Sequence, residues 1–516
     1  MRDRKGSDKA PKWLVAALII SLCFGVFFRL YNLGGKAFWF DEVVTAHILS
    51  GTPGWVVRQE IDCHAVGVDR FIDYLRITED KSLSDAIDIL FREDTGQPLP
   101  YYGLLWLWEK AWNPGSREIP ATLRSFSAVI SLMNLPLMWW LACLLFDSKR
   151  VAMIALILLA VSPMNVLYAQ EARVYSLLTM MSMLSSCLLL KAVEFKKPYV
   201  WAAYCLSACL GLYLHMLFGF IILAHGAYLY VAGGIRWNKN GKAYFISAIS
   251  AVLIYLPGLA FVLGNLNVFR ETVSWMSYGA DPLTMVAGFG SGLVNVFFDI
   301  DFGAYPLILV VPIAFFVALC IGYWFFWSLK NAPTKPRLFI STQVAGNLLP
   351  LIIPDLLLGG MRSAVPRYML YTYILIVLSA AYFFSKNVDE GRWRKTFAIV
   401  VLAGMMSCAL SSQSTVWWNK YPTLHYPQMA KEVNNAERPL LVSDQPLPTL
   451  WSFGLLLEPK ASIYLVTDTS NVELPEGYDA YALNPSPALT ANLEAKYTLN
   501  PVDNKGGLWL LLPRNP

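Results

Sequence analysis

Charge is scarce in this chain. Asp, Glu, Lys and Arg make up 15% of its 516 residues, against about 25% in an ordinary soluble domain. Histidine is scarcer, at five residues, and the eight cysteines form no Cys-x-x-Cys pair. Seven of them (Cys23, Cys143, Cys187, Cys205, Cys209, Cys320 and Cys408) lie in apolar runs, where a thiol behaves as a small hydrophobe; only Cys63 sits in a polar loop. Neither a zinc ribbon nor a disulfide framework is suggested. The net charge is +5, with no basic stripe interleaved with aromatics, so nucleic acid is not an expected partner. A cleavable leader is not expected either. The apolar run at 13–33 is longer than a leader's core and no small-residue cleavage site follows it, so it reads as a retained first helix.

What the chain has in excess is hydrophobic residues, 56% of the total, together with 18 Trp and 26 Tyr. They fall in runs long enough to cross a bilayer as helices, about eleven of them. The expected spans are 13–33, 121–146, 151–167, 174–193, a long stretch 199–234 divided near 218–219, then 243–263, 304–329, 338–358, 368–384 and 396–410. Residues 282–298 are Gly-rich and read as an interfacial or re-entrant segment. With the N-terminus in the cytoplasm, the inner loops collect Lys149, Arg150, Lys196, Lys197, Arg236, Lys239, Lys242, Lys330, Lys335, Arg337, Lys386, Arg392, Arg394 and Lys395. The tail adds Arg2, Arg4, Lys5, Lys9 and Lys12, whereas short outer loops hold few cations. That is the positive-inside pattern. It places the long loop at about 34–120, with interfacial helices, on the outer side. The region from 413 onward lies there too, and its short apolar runs PLLVSD, ASIYLV and GLWLLLP beside YPQMAKEVNNA read as a small soluble α/β domain. The expected fold is an α-helical integral membrane domain over 1–412 followed by an outer domain over 413–516.

Polar residues collect on the outer face. Asp41 and Glu42 follow the aromatics of AFWFDEVV; a carboxylate in that half-dry setting suits a general base, and helix capping is the alternative. Asp94 and Gln97 precede a Pro-punctuated run at the interface. Gln170, Glu171 and Arg173 sit between two spans with almost no loop, where charge is expensive and marks function unless it only shapes the turn. His215 ends the fifth span; a structural hydrogen bond and a metal contact both remain open, with Asp94 among the carboxylates available as a co-ligand. Arg362 and Arg367 offer forks for phosphate, or snorkel to the interface.

The Asp41-Glu42 pair, QPLPYY, SPMNVLYAQEARVYSL, YLH and the late PRY together resemble the GT-C superfamily. The similarity is to the branch holding bacterial protein O-mannosyltransferases and the aminoarabinose transferases of lipid A. That resemblance implies a glycosyltransferase using a sugar on polyprenyl (undecaprenyl) phosphate, acting at the outer, periplasmic face of the cytoplasmic membrane with inversion. The acceptor would be a lipid, glycan or protein. Asp41 matches the catalytic base, with Glu42 beside it, and Glu171 the second acidic position that orders the site. Arg173, Arg367 and Arg362, with Gln97 and Tyr101 of QPLPYY, match donor-phosphate contacts. His215 matches a residue that touches a divalent metal in some relatives. Relatives often carry His-Pro-Pro or Lys-Pro where this chain has Gln97-Pro98-Leu99-Pro100, so an arginine would have to supply the missing charge. A ligase or polymerase of the same fold moving a larger glycan is the nearest alternative. A lipid or solute transporter is a more distant one, since no duplicated halves are visible.

Overall fold

Apolar runs cross a bilayer only if every backbone group is paired within the run, which selects helices. The computed structural model describes residues 11–514 apart from 95, 237, 278, 280, 421–422, 471 and 503–506, so Arg2, Arg4, Lys5 and Lys9 lie outside the described residues. The chain forms two compact units: residues 1–31, 94–101 and 125–412 make the first, and residues 32–93, 102–124 and 413–516 the second.

Among the described residues, eight helices are long and apolar enough to span: Lys12–Leu30, Ser116–Phe146, Tyr175–Phe195, Lys239–Gly264, Leu307–Asn331, Thr334–Leu358, Pro366–Asn387 and Gly391–Gln413. Pro198–Leu214 and Phe218–Ala232 are shorter apolar helices, and the chain does turn between them. Pro282–Val294, the segment expected to be interfacial or re-entrant, is a 13-residue helix capped by Asp281. Pro366–Asn387 is the hub of the first unit and is almost wholly buried, whereas Leu307–Asn331 is mostly exposed and turns Leu307, Ile308 and Leu309 outward as a lipid-facing helix would.

The run 151–167 is not one straight span. It breaks into Lys149–Ala160 and Pro163–Ala169, bent by 60°. Pro163 has no N–H to continue the helical ladder, and Arg29 caps the carbonyls left at the break. Its Nη1 donates to Ala160 O (2.7 Å) and Gly25 O (2.8 Å), and its Nη2 to Leu159 O (3.2 Å). Gly25 permits this crossing, because a Cβ there would lie 2.7 Å from Ala160 O. A second polar knot joins four helices: Ser186 Oγ meets His225 Nε2 at 3.1 Å, Tyr204 Oη meets His225 Nδ1 at 3.2 Å, and Tyr371 Oη bonds the same Ser186 hydroxyl. Such bonds act as glue between helices in an apolar surround.

The second unit is built on a six-stranded sheet: β1 (Val66–Gly67), β2 (Pro439–Ser443), β3 (Ser462–Leu465), β4 (Asp479–Leu483), β5 (Tyr497–Pro501) and β6 (Leu508–Pro513), in the order β1-β3-β2-β4-β6-β5. β2 pairs in parallel with β3 and β4, which requires crossovers; the helix Leu447–Gly454 supplies one of them. β4–β6 and β5–β6 are antiparallel. Alternation along the strands sends Leu440, Val442, Ala480, Ala482 and Leu511 into one core, covered by Leu489 and Leu493 of the helix Pro487–Lys496. β1 comes from the first loop and pairs antiparallel with β3, so loop and tail are one folded body.

Candidate active site

In the first unit, the tight turn 170–174 carries the acidic and basic groups. Arg173 N–H donates back to Glu171 O at 2.7 Å, and Gln170 Nε2 ties the turn to Phe28 O (2.7 Å) and Tyr31 O (3.0 Å) at the end of Lys12–Leu30. Glu171 and Arg173 are 1% and 8% exposed, so both charges are held out of bulk solvent. Arg173 Nη2 donates to Gln97 Oε1 at 3.3 Å, and Gln97 Nε2 donates to Asp94 at 2.7 Å. Arg173 is thus the cation hydrogen-bonded to position 97. Tyr101, one turn further on, is buried edge-on against Phe126, with ring centroids 5.9 Å apart.

Arg367 lies in a short 3-10 turn, Pro366–Met369, with its guanidinium over Trp275 (5.0 Å) and Tyr368 (5.6 Å). Tyr368 in turn packs on His215 at 5.7 Å. His215 sits in the turn between two helices, where its Nδ1 accepts the Leu217 N–H at 3.2 Å. Desolvation, then the Arg367 and Arg173 charges, push it down to about 4. The ring is therefore neutral at pH 7 and carries its proton on Nε2. Glu171 and Arg367 both act electrostatically on Tyr168. Arg173, Arg367, His215 and Glu171 thus belong to one polar cluster. Below it, Thr179, Ser182, Phe218, Asn347 and Tyr371 line a narrow slot that also receives His215 and Arg367. Its free space is about 30 Å³, room for about one water. Arg362 is held differently: its Nη1 pairs with Asp355 Oδ1 at 2.9 Å, and Asp355 Oδ2 takes the Ser363 N–H at 2.6 Å.

In the second unit, Asp41 and Glu42 open the helix Phe40–Ser50. They are not equivalent. Glu42 is fully buried and takes both forks of Arg124, Nε at 2.8 Å and Nη2 at 2.6 Å, while its Oε2 accepts the Trp39 N–H at 3.4 Å. Arg124, 1% exposed, also gathers the carbonyls of Leu33 (2.7 Å), Lys36 (3.0 Å) and Ala37 (3.1 Å). Asp41 is half-buried. The tail completes the frame. Trp417 Nε1 donates to Ala37 O, Ser452 Oγ to Phe38 O, Lys420 lies 3.9 Å over the Trp39 ring, and Trp451 packs on His47. Sequence reading missed Arg124. Its signal was a lone cation in the first turns of an apolar span, the same cost argument that singled out Arg173.

Among the described residues, no three His, Cys, Asp or Glu side chains are placed to hold a metal ion. Asp94 is engaged by Gln97 and His215 Nδ1 by a backbone N–H. That donor set does not fit a divalent cation.

The sequence model of the dolichyl-phosphate-mannose-protein mannosyltransferase family matches residues 118–261. Comparison with curated proteins finds no match. Among solved structures, ArnT from Cupriavidus metallidurans bound to undecaprenyl phosphate is similar at 12% identity and a TM-score of 0.51, over 98% of each chain. The oligosaccharyltransferase AglB from Archaeoglobus fulgidus, in complex with an inhibitory peptide and a dolichol-phosphate, is similar at 11% identity and 0.50, over 97% of this chain and 74% of that one. A further structure of the Archaeoglobus fulgidus oligosaccharyltransferase, tethered with an acceptor peptide, has 13% identity and a TM-score of 0.48 over 88% of this chain, which spans 64% of its length. With apolar helices long enough to span and a small sheet beside them, the chain is a multi-pass membrane protein of the GT-C fold.

Proposed function

We propose that this protein is an inverting glycosyltransferase of the cytoplasmic membrane. It would take a sugar from a polyprenyl-phosphate carrier at the outer face and pass it to a lipid, glycan or protein acceptor. The observation that carries the reading is the family match over residues 118–261, the segment that holds Arg124, Glu171, Arg173 and His215. The lipid phosphates named for ArnT and AglB support the same donor class.

The chemistry is a single displacement. An acceptor hydroxyl or amine attacks the anomeric carbon, the bond to the phosphate oxygen breaks, and the electron pair leaves on the phosphate. Asp41 accepts the acceptor's proton. Arg173 and Arg367 stabilise the charge that grows on the leaving phosphate, which preorganised donors do best in a water-poor site. Gln97 positions Arg173, and neutral His215 offers an Nε2–H donor that does not compete for the anion. Glu42 and Arg124 are positioning residues: their ion pair anchors the first turn from which Asp41 projects. The tail, through Trp417, Ser452 and Trp451, holds the same helix.

The test is transfer from a panel of undecaprenyl-phosphate sugars to a membrane lipid extract, comparing wild type with Asp41→Asn. A glycosylated product made by wild type alone supports donor class and base together. Equal product from both enzymes removes Asp41 from the mechanism. No product in either, with lipid and protein acceptors both supplied, removes the transferase reading.

A further inference from the structure

The second unit carries a cavity that the transfer chemistry does not use. It holds about 520 Å³, within the range of about 300–1,000 Å³ usual for small-molecule sites. Its walls come from the sheet and its helix: Thr490 and Glu494 on the helix Pro487–Lys496, Thr498 and Leu499 on β5, Trp509 on β6, Asn484 after β4, and Arg514 beyond β6.

The backbone beneath the walls is held in place, at Arg514 by its N–H to Lys496 O at 3.0 Å. Thr490 and Glu494 are one helical turn apart and so share a face. Their helix is anchored below by Leu489 and Leu493 and capped by Ser486, whose Oγ accepts the Leu489 N–H. Trp509 is half-buried, packs against the core of the sheet, and pairs across strands with Ala482 and Pro501. Asn484 has a left-handed backbone, φ 43°; its N–H donates to Gly507 O at 2.8 Å and its own carbonyl accepts Gln445 Nε2 at 2.7 Å. That pins the residue at the cavity wall. Ser486 N–H is in turn fixed by Asp444 at 3.1 Å.

The chemistry of the lining is mixed and balanced. Glu494 contributes a carboxylate and Arg514 a guanidinium, so the formal charges cancel. Asn484 brings an amide that both donates and accepts, whereas the Thr490 hydroxyl gives its proton to Ser486 O at 2.9 Å and is left as an acceptor. The Trp509 indole supplies a flat apolar face with a polar edge, beside the apolar Leu499 and Pro485. Anions would meet the carboxylate, and an apolar ligand would strand the polar groups. A polyhydroxyl ring suits all of them at once: its C–H face lies on the indole and its hydroxyls pair with the donors and acceptors of the lining. We propose that the Trp509–Glu494–Arg514 cavity is a saccharide-binding site that holds sugar rings of a glycan acceptor. The acceptor role rests on the transferase reading; the binding itself does not.

The test uses the full chain purified in a detergent without a sugar headgroup. Saturation-transfer-difference NMR is recorded with a panel of neutral mono- and disaccharides (glucose, galactose, mannose, N-acetylglucosamine and maltose) against wild type, Trp509→Ala, Glu494→Gln and Lys460→Gln. Binding by wild type is expected, with at least a tenfold loss of affinity in Trp509→Ala, a smaller loss in Glu494→Gln, and no change in Lys460→Gln, an exposed position outside the cavity. Glu494 is exposed, so its conservative change leaves folding intact and keeps the test valid if Trp509→Ala misfolds. No saccharide signal from wild type overturns the proposal, as does equal binding by all four proteins or displacement of the sugar by inorganic phosphate. Asp41-dependent transfer without saccharide binding would overturn this site and leave the transferase standing. Saccharide binding without transfer from any carrier would do the reverse.

Discussion

The clamp beneath Asp41 gives the sharpest quantitative prediction. Glu42 and Arg124 form a two-pronged ion pair at 2.6 and 2.8 Å, with both side chains essentially out of solvent. Removing one partner leaves the other charge buried and uncompensated, a loss of about 3–5 kcal/mol. Arg124 additionally satisfies three backbone carbonyls, so Arg124→Gln is expected at the upper end and Glu42→Gln at the lower. The double replacement Glu42→Leu with Arg124→Met removes both charges together and is expected to be milder than the two single losses summed, with a coupling of about 2–3 kcal/mol. For a unit of this size a loss of 1 kcal/mol lowers the melting temperature by roughly 2–4 °C. Each single variant should therefore melt about 6–20 °C below wild type by differential scanning fluorimetry. Transfer should fall with it at temperatures where the protein is still folded, because the first turn that aims Asp41 has lost its anchor. Strictly additive single losses, or single variants within about 1 kcal/mol of wild type, would refute the argument that this pair acts as one buried unit.

Three further outcomes follow from other parts of the structure. Arg29→Met should destabilise the first unit by about 3 kcal/mol or more, since hydrogen bonds from a charged donor are worth about 1.5–3 kcal/mol each and carbonyls at the break are left bare; unfolding in a graded detergent series reads this, and a wild-type profile would dismiss the capping role. Burial pushes Glu109 up to about 8, with the Ile77 backbone and the Arg76 charge offsetting it only in part. The folded state thus keeps its proton through neutral pH while the unfolded carboxyl, near 4.5, gives its proton up, so stability is full below that value, is lost as pH rises toward 8, and is flat above. Glu109→Gln should abolish that slope, worth up to about 3–5 kcal/mol; melting curves at pH 5 and pH 9 that differ as much in the variant as in wild type would be the contrary result. Finally, Arg367→Lys keeps the charge but gives up the planar stack on Trp275 and Tyr368. A rise in KM for the lipid-phosphate donor of about tenfold, corresponding to about 1.4 kcal/mol, is expected, and an unchanged KM would separate this arginine from phosphate binding.

Much of the architecture was legible because its cause is local. A run of apolar residues in lipid has one low-energy backbone, so the helices followed from run length, and the runs PLLVSD, ASIYLV and GLWLLLP became β2, β3 and β6. The strands that escaped notice were those whose cause is remote. β4 carries Ala480 and Ala482, poor strand formers held by neighbours on both sides, and β5 is a half-exposed edge ending in Pro501. β1 is two residues of the first loop whose pairing partner lies almost 400 positions later, at Ser462 and Ile463. The 60° break was hidden for the same reason, since the group that stabilises it, Arg29, belongs to another helix.

The candidate site divides along the same line. Residue type and position in the apolar pattern nominated Asp41, Glu42, Asp94, Gln97, Tyr101, Glu171, Arg173, His215, Arg362 and Arg367, because charge beside a bilayer is costly wherever it occurs. What each of those groups is tied to is a matter of distance, and distance exists only in the folded chain. Packing gave Glu42 to Arg124 and Arg362 to Asp355, linked Arg173 to Gln97, and stacked Arg367 on Trp275. Run length and charge determine, from sequence alone, that this protein lives in a membrane; only tertiary structure decides which of its scarce charges are anchored by a partner and which are presented for chemistry.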